Sequence, residues 1–317
     1  MITTEWPTEN NPSHAPFLAR QVEYLRRQNA EVEVFHFKGA ANPFNYLKAW
    51  WQGTKILRKK KFDLIHAQWG QSAIPVFLTS LPLVVTFRGS DLQGIANANG
   101  HYTLKGRILK FVSRMISKRA DSIILVSENL SKFLPPLTKY VVIPSGLDLQ
   151  LFKPRPQAEC KQQLELDSQK LFILFAGSPI KKEKRYFLAT KSIEILNRTV
   201  AAELFFAKDV GINKMPLYMN AADVLLLTSI HEGSPNVVKE ALACNIPVVS
   251  VDVGDVKERI TGIPGCFICK DEPEAIAEAL QEALVKRPVS FESRKFVMSL
   301  DENIMTKKVL EVYRGVL

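Results

Sequence analysis

Two glutamates, Glu232 and Glu240, bracket a segment of the chain that could hold a phosphate group. The apolar run 223–228 precedes them and predicts a buried strand. The turn after that strand consists of Gly233, Ser234, Pro235, Asn236 and Val237. A helical pattern then runs to about Ala243, with Pro235 near the first helical position, where proline fits well. Because first-turn amides of a helix bind anions, the segment predicts a phosphate site with an acid on each side.

The second acid, Glu240, lies in the middle of the predicted helix among mostly apolar neighbours. A carboxylate there could accept two hydrogen bonds from a ribose diol, as acidic residues do in dinucleotide-binding folds. The alternative is a solvated position paired with Lys239 or Lys257.

A glycosidase would need its two carboxyl groups about 5–9.5 Å apart across one bond. The eight-residue step from Glu232 to Glu240 spans about 12 Å if it is helical, and more if it begins extended. The spacing therefore favours opposite ends of one nucleotide-linked substrate.

Several other chemistries lack their motifs. The sequence has no G-x-x-x-x-G-K-[ST] loop and no G-x-G-x-x-G, which argues against an NTPase or an NAD enzyme. It has no D-x-D pair, so a carboxylate-held metal has no obvious site. Cys266 and Cys269 form a C-x-x-C without a second ligand pair, and buried strand thiols explain them better than zinc does.

The elements that must position these residues alternate between strands and helices. In the first half we predict strands at 2–4, 31–37, 63–67, 83–87, 122–126 and 141–143, with helices at 17–28, 46–61 and 107–119. In the second half we predict strands at 171–176, 203–207, 223–228, 247–251 and 265–269, with helices ending near 197 and 243, at 274–284 and at 303–316. This alternation predicts parallel sheets covered on both faces.

A chain of 317 residues is long for one core, so two domains are expected. The turn at 144–148 and the prolines Pro154 and Pro156 mark a linker. We therefore predict an N-terminal domain at 1–150 and a C-terminal domain at 151–301. The last helix, about 302–317, could pack back on either domain, and we assign it to the N-terminal one.

Composition fits an ordinary soluble protein, with 46% hydrophobic and 23% charged residues. No apolar run reaches 18 residues, and the nearest, 73–87, contains Pro75 and Pro82. The first 14 residues have neither a basic start nor an apolar signal core. These features predict a cytoplasmic protein.

Positive charge is concentrated in the first half of the chain. Residues 1–153 hold 20 Lys and Arg against 10 Asp and Glu, whereas residues 154–317 hold 22 of each sign. A membrane, a nucleic acid or an acidic acceptor would suit such a surface, and solubility alone would also explain it. The segment 107–119 predicts either a basic amphipathic helix at a membrane surface or an ordinary sheet-covering helix with a solvated basic face.

Four motifs together resemble one enzyme family. LLLTSIHEGSPNVVKEALACNIPVVSVDVGD (225–255) resembles the E-x7-E signature of the retaining glycosyltransferases of family 4, which have the GT-B fold. VIPSGLD (142–148), FAGSPIKKEK (175–184) and VTFRGSDL (85–92) are similar to the family's interdomain turn, phosphate-loop region and acceptor-side loop, and residues 5–25 also fit. The resemblance implies two Rossmann-like domains that face each other across a cleft.

The resemblance also implies roles for individual residues. Glu232 would meet hydroxyls of the donor sugar, Glu240 would bind the nucleotide ribose, and Lys184 would neutralise the leaving diphosphate. Amides of the Gly233–Val237 turn would hold that diphosphate, with the phosphate-loop residues Gly177, Ser178 and Lys181. The acceptor side would use His66, Arg88, Gly89 and Asp91. Family members are thought to retain anomeric configuration by front-face attack and to need neither metal nor cofactor beyond the nucleotide-diphosphate sugar substrate.

Three features depart from the family pattern. Ser178 stands where the family often has Arg, a role that Lys181 could take over. Arg88 stands where the family often has His. The first strand also looks truncated, because only Ile2 to Thr4 precede the loop, which a misassigned start codon or a clipped edge would explain.

The resulting hypothesis is a transferase that moves a sugar to a lipid-linked glycan, such as a polyprenyl-linked one, in cell-surface polysaccharide biosynthesis. An anionic membrane face is then a candidate partner, since basic surfaces bind it, and a nucleic acid is not. One alternative is a cytosolic transferase acting on a soluble sugar phosphate or metabolite. Another is a non-catalytic binding protein on a decayed transferase fold.

Overall fold

The chain divides into two compact units, each built around one parallel sheet. The computed structural model describes residues 1–8, 14–39, 42–94, 103–175, 177–207, 210–285 and 291–317. The first unit comprises 1–146 with 302–317, and the second comprises 147–301. Residues 9–13 of the family-like N-terminal segment, and Ala176 at the end of a predicted strand, lie outside the described residues. In the described part of the chain, no helix has the length and apolar character needed to cross a membrane.

The first sheet has the strand order β2-β1-β3-β4-β5-β6, and every pairing in it is parallel. Its strands are β1 (Ile2–Thr3), β2 (Phe35–His36), β3 (Ile65–Gln68), β4 (Leu83–Phe87), β5 (Ser122–Leu125) and β6 (Val141–Val142). The central strands β3 and β4 are fully buried, as expected for a sheet covered on both faces. Strand β4 is apolar except for Thr86, whereas β3 carries the polar side chains of His66 and Gln68.

The helices of the first unit are α1 (Pro16–Arg27), α2 (Pro43–Lys59), α3 (Ser90–Gln93), α4 (Leu104–Arg119) and the final helix, α11 (Glu302–Arg314), with short 3-10 segments at 70–76 and 128–133. Crossovers between parallel strands are right-handed. The direction in which the chain moves along the sheet therefore decides which face of the sheet the connecting helix covers. The crossovers that contain α2 and α4 both move toward the β6 edge, so these two helices cover the same face of the sheet. Helix α1 leads the other way and packs with α11.

Two side-chain contacts, one near each end of the helix, hold α11 to the first unit. Near its start, Glu302 accepts a hydrogen bond from Arg20 Nε at 3.1 Å, and Arg20 also donates to the carbonyl of Gly146 at 3.0 Å. Near its end, Tyr313 Oη lies 2.6 Å from His66 Nδ1. Breaking a buried ion pair on one side costs about 3–5 kcal/mol, so the Arg20–Glu302 pair is a strong anchor for the returning helix.

The second sheet has the order β11-β10-β9-β7-β8, again entirely parallel. Its strands are β7 (Leu171–Phe175), β8 (Ala202–Phe205), β9 (Val224–Leu227), β10 (Val248–Val251) and β11 (Phe267–Cys269). Its helices are α5 (Gln157–Gln163), α6 (Tyr186–Leu196), α7 (Met215–Ala221), α8 (Asn236–Ala243), α9 (Val256–Ile260) and α10 (Pro273–Val285), with 3-10 segments at 182–184, 212–214 and 294–300. The predicted α/β class with two parallel sheets is confirmed.

Local differences from the sequence predictions have local causes. The strand predicted at 31–37 forms ladder pairs only at Phe35 and His36, because its partner β1 is just two residues long. Pro235, predicted near the first helical position, is the N-cap of α8 instead, because its ψ of 117° is extended. The short helices α3, α5, α7 and α9 are too brief for a clear apolar period and were not predicted.

The four cysteines are free thiols. Cys266 and Cys269 are half-buried beside and on β11, where Cys266 Sγ accepts a hydrogen bond from the Val248 amide at 3.3 Å. Burial raises the pKa of Cys266 to about 12 and that of Cys269 to about 11. These are strand thiols of low reactivity, as the sequence analysis preferred.

Candidate active site

In the second sheet the strand order reverses beside β7. From β7 the chain goes to β8 on one side, and it returns to β9 on the other. In parallel α/β sheets, ligands bind in the crevice that such a reversal opens at the carboxyl ends of the strands. Gly177 follows β7 and Glu232 follows β9, so topology directs both to this crevice.

An ion pair joins the two residues predicted to be catalytic. Lys184 Nζ lies 2.5 Å from Glu232 Oε1, and the two side chains are 21% and 17% exposed. Such a pair is partly desolvated but still reachable from solvent. It presents one positive and one negative group at the crevice.

Hydrogen bonds to backbone carbonyls hold the turn that carries Lys184 against the end of β9. Thr228 Oγ1 donates to the Lys184 carbonyl at 2.7 Å, and Arg185 Nε donates to the Thr228 carbonyl at 2.6 Å. The amide of Ile230 donates to the Glu183 carbonyl at 2.9 Å. These three bonds fix the register between the turn and the strand, which keeps Lys184 within reach of Glu232.

Two glycines allow close approaches around the ion pair. A Cβ on Gly177 would lie 2.9 Å from Cγ of Lys184, and a Cβ on Gly254 would lie 2.8 Å from the carbonyl oxygen of Gly233. Both glycines have positive φ, 155° and 61°. Side chains at either position would push on the residues that carry the charges.

The turn before α8 is tied to the loop after β10. Ser234 Oγ donates to Asp255 Oδ2 at 2.8 Å, and Arg259 bonds the same oxygen at 2.5 Å. Asn236 is the first residue of α8, so amides of its first turn lie directly after the Gly233–Pro235 turn. The arrangement holds the predicted phosphate-binding amides in a fixed loop.

The remaining predicted donor residues differ in exposure. Glu240 is 7% exposed on α8, so it is not the solvated surface residue of the alternative interpretation. Ser178 and Lys181 are exposed, and the amide of Lys181 donates to the Ser178 carbonyl at 3.1 Å. The phosphate-loop region is thus an open turn, whereas Glu240 sits in a buried helix.

The first sheet also reverses its order, between β1 and β3, and Arg88 lies at the carboxyl end of the neighbouring β4. Its guanidinium donates to Gln68 Oε1 at 2.6 and 3.1 Å and to Ser145 Oγ at 2.7 Å. It also stacks over Phe17 at 4.5 Å and near Trp69 at 5.7 Å. Burial lowers the pKa of Arg88 to about 10, so the group stays charged at neutral pH.

Asp91 and Gly89 belong to the loop that carries Arg88. The Asp91 carboxylate is 1% exposed and accepts from the amides of Gly70, Arg88 and Gly89 at 3.1, 3.1 and 2.9 Å. Burial raises the pKa of Asp91, and the amide donors oppose that effect. In this structure the carboxylate fixes the shape of the loop.

His66, predicted on the acceptor side, is 2% exposed in the middle of β3. Its Nδ1 lies 2.6 Å from Tyr313 Oη, and its Nε2 lies 2.7 Å from Thr86 Oγ1. Burial, followed by nearby positive charge, lowers the pKa of His66 well below its ordinary value, so the ring is neutral. Both ring nitrogens are thus engaged within the first unit.

Comparison with known sequences places each half of the chain in the same group of enzymes. Residues 12–151 match the family model "Glycosyltransferase Family 4", and residues 160–286 match "Glycosyl transferases group 1". The chain belongs to glycosyltransferase family 4. The family predicted from the motifs is therefore confirmed.

Among relatives of this family 4 member, TuaC of Bacillus subtilis, named as a teichuronic acid biosynthesis glycosyltransferase, is 28% identical over 242 residues. A D-inositol 3-phosphate glycosyltransferase of Mycolicibacterium gilvum is 23% identical over 268 residues. The matches cover 69% and 73% of this chain, and they span 60% of the length of each relative.

Solved structures of low identity share the fold. Sucrose-phosphate synthase from Thermosynechococcus elongatus has a TM-score of 0.78 at 17% identity, covering 95% of this chain and 92% of that one. Anabaena HepE in complex with UDP-glucose has a TM-score of 0.68 at 17% identity, covering 93% and 88%. The neighbours are glycosyltransferases of the GT-B type, so the GT-B fold predicted for this family 4 member is confirmed.

Sequence reasoning missed several residues that build the candidate sites of the two units. Those in the second unit are Thr228, Arg185 and Asp255, and those in the first are Gln68, Trp69 and Tyr313. Asp255 could have been found, because it follows β10 at the same sheet edge as Glu232. Tyr313 gave no local signal, since its partner His66 lies 247 positions away.

Proposed function

We propose that this family 4 member transfers a sugar from a nucleotide-diphosphate sugar to a glycan acceptor. The observation that carries the proposal is the Lys184–Glu232 ion pair at the strand-order reversal of the second sheet. The proposed reaction needs a cation to bind the diphosphate and a carboxylate to bind sugar hydroxyls, and Lys184 and Glu232 provide these two groups. The neighbour HepE, described in complex with UDP and with UDP-glucose, supports a donor of this class.

Each donor-side residue has a defined task in this proposal. The ammonium of Lys184 leaves Glu232 in part to neutralise the diphosphate, while amides at the start of α8 bind the phosphate oxygens. Glu232 then accepts hydrogen bonds from sugar hydroxyls, and Glu240 accepts them from the ribose. Gly177 keeps the path of the Lys184 side chain open.

We propose that transfer retains the anomeric configuration. The acceptor oxygen bonds to the anomeric carbon on the face from which the phosphate oxygen departs. The acceptor proton passes to that leaving phosphate oxygen, and the products are a glycoside and a nucleoside diphosphate. Lys184 and the helix amides supply the charge neutralisation, so we propose that no metal ion is required.

Arg88 suggests an acceptor that carries a phosphate. Its guanidinium is charged and held by neutral side chains, Gln68 and Ser145, at the carboxyl edge of the first sheet. A phosphate could bind such a group bidentately. The excess positive charge of residues 1–153 favours a lipid-linked glycan at a membrane face. A soluble sugar phosphate is the second candidate, because several relatives are named D-inositol 3-phosphate glycosyltransferases.

A panel of nucleotide sugars in thermal-shift assays tests the donor class, since a ligand that binds the native state stabilises it. We expect one donor to raise the melting temperature and Glu232→Gln to reduce that shift. Product NMR then reads the anomeric configuration, and an assay with EDTA tests metal independence.

Acceptor screens separate the candidates. Transfer to polyprenyl-linked glycans alone supports the lipid-linked acceptor, and transfer to soluble sugar phosphates alone supports the second candidate. Donor binding without transfer to either class would favour a non-catalytic binding protein. A donor shift that Glu232→Gln leaves unchanged would contradict the assigned site.

A further inference from the structure

Helix α4 exposes four of its large apolar side chains to solvent. Leu104, Ile108, Phe111 and Met115 recur every three or four residues, so they form one stripe along the helix. They are 74%, 56%, 66% and 44% exposed. The buried side of the same helix consists mostly of small or polar residues, namely Gly106, Ser113 and Ser117, together with Ile116. Val112 and Ile116 still pack on the core, so this helix is apolar on its exposed side as well as on part of its buried side, which is unusual for a sheet-covering helix.

Helix α2 exposes a second set of large apolar side chains. Phe44, Leu47, Trp50 and Trp51 are 75%, 61%, 46% and 61% exposed. Inner residues of both helices, such as Ala49 and Ile116, belong to one core cluster, and both helices pack on the 3-10 segment 70–76. The two apolar sets therefore lie on the same side of the first sheet. We call these eight side chains the docking face.

The charged residues of the two helices that carry the docking face are all basic. Neither α2 nor α4 contains an Asp or Glu. The basic residues of the two helices are Lys48, Lys55, Arg58, Lys59, Lys105, Arg107, Lys110, Arg114, Lys118 and Arg119. An apolar surface on two helices whose charged residues are all basic is complementary to a surface that is apolar beneath an anionic layer.

The docking face reaches the edge of the sheet that carries Arg88. In a parallel α/β unit each helix that follows a strand begins near the carboxyl edge of the sheet. Phe44 and Leu47 occupy the first turns of α2, and Leu104 and Ile108 those of α4. Arg88 follows β4 at that same edge.

We propose that the docking face seats the first unit on an anionic lipid bilayer, with its apolar side chains in the interfacial layer and its Lys and Arg residues at the headgroups. Trp50 and Trp51 suit that layer, since indole rings prefer the boundary between lipid and water. The proposal goes beyond the transfer reaction, because it concerns binding to a surface and requires neither donor nor turnover.

Vesicle sedimentation with the full chain tests the proposal. We expect strong binding to vesicles that contain phosphatidylglycerol, weak binding to phosphatidylcholine alone, and release by salt. Tryptophan emission should shift to the blue on binding, because Trp50 and Trp51 enter a less polar layer.

Variants with matched controls locate the surface. Phe111→Ser should lower the partition coefficient about tenfold, because an exposed phenylalanine no longer inserts. Phe187→Ser removes a phenylalanine of similar exposure, 69%, on α6 of the second unit, and should change nothing. Arg107→Gln should weaken binding to anionic vesicles about fivefold, whereas Lys307→Gln on α11 should not.

Other results would overturn the proposal. Equal binding to anionic and neutral vesicles would contradict the role of the Lys and Arg residues. Absence of binding to both would contradict the proposal as a whole. Self-association of the wild type that Phe111→Ser abolishes, without vesicle binding, would assign the docking face to a second copy of the chain. Equal loss of binding in Phe111→Ser and Phe187→Ser would place the contact elsewhere.

Discussion

Both sheets reverse their strand order once, and titratable side chains lie near both reversals, yet the two clusters are built differently. In the second unit, Lys184 and Glu232 form an ion pair, and the Thr228 hydroxyl donates to the carbonyl of the turn that carries Lys184. In the first unit, Asp91 and His66 are almost fully buried, and their polar atoms bond to other parts of that unit. The difference indicates that the same kind of strand-order reversal holds a solvent-reachable ion pair in the second sheet and buried, internally bonded side chains in the first.

Removal of the lysine should have the largest effect on transfer and a small one on stability. We expect Lys184→Met to lower the transfer rate about 100- to 1000-fold, as loss of a preorganised charge stabiliser does. Lys182→Met, an exposed lysine of the same turn, is the matched control and should retain most of the rate. Equal transfer rates in the two variants would show that the Lys184–Glu232 ion pair has no role in catalysis.

Removal of the buried aspartate should affect stability first. We expect Asp91→Ala to lower the free energy of unfolding of the first unit by about 3 kcal/mol, because three amides lose their acceptor. All four tryptophans lie in residues 1–146, so tryptophan fluorescence in urea reports on this unit.

The exposed Asp63 provides the control for that measurement. Asp63→Ala should change the free energy of unfolding by less than about 0.5 kcal/mol. An Asp91→Ala protein with unchanged stability but impaired transfer would show that Asp91 acts in the reaction rather than in holding the fold of the first unit.

Two glycines of the second unit separate backbone strain from close packing. Gly262 has a φ of 82° and open space around it, so Gly262→Ala should cost about 1 kcal/mol from strain alone. Gly254→Ala adds a contact with the Gly233 carbonyl, and we expect about 2 kcal/mol and weaker donor binding. Circular dichroism in urea measures the loss of stability in each variant, and donor titration measures donor binding. Equal losses of stability in the two variants would show that the loop at Gly254 moves to relieve the contact with the Gly233 carbonyl.

Acid should destabilise the first unit through His66. The folded ring has a pKa well below 6.5, whereas the unfolded ring takes up a proton near 6.5. The contribution of His66 to the free energy of unfolding is therefore complete above about pH 6.5. It is lost as the pH falls below that value, by at most about 1.4 kcal/mol per pH unit. His66→Gln should flatten this slope in tryptophan-monitored unfolding, and an unchanged slope would assign the loss to other groups.

The strands and longer helices could be predicted because their apolar periods are local. Leu83–Phe87 and the start of β7 at Leu171 were located from the sequence alone. The site was harder. Gly177 and Glu232 follow strands, so a parallel sheet was enough to place them at one edge, whereas Lys184 was identified only through the family resemblance.

The bonds that fix these residues could not be predicted from the sequence. Gln68 holds Arg88 across 20 positions and Tyr313 contacts His66 across 247, and neither residue type at its position indicates its partner. Trp69 has a φ of 69°, which is rare for a bulky residue and is imposed by its packing rather than by propensity.

The return of α11 to the first unit makes the second unit a continuous insertion within the first. Its two ends meet, since the amide of Leu147 donates to the Leu300 carbonyl at 2.8 Å and Leu147 bridges to Asp301. A segment whose termini lie side by side can be cut out and replaced by another of the same geometry. Residues 147–301 thus define a cassette for chimeras, in which donor preference could be exchanged while the first unit keeps its own sequence.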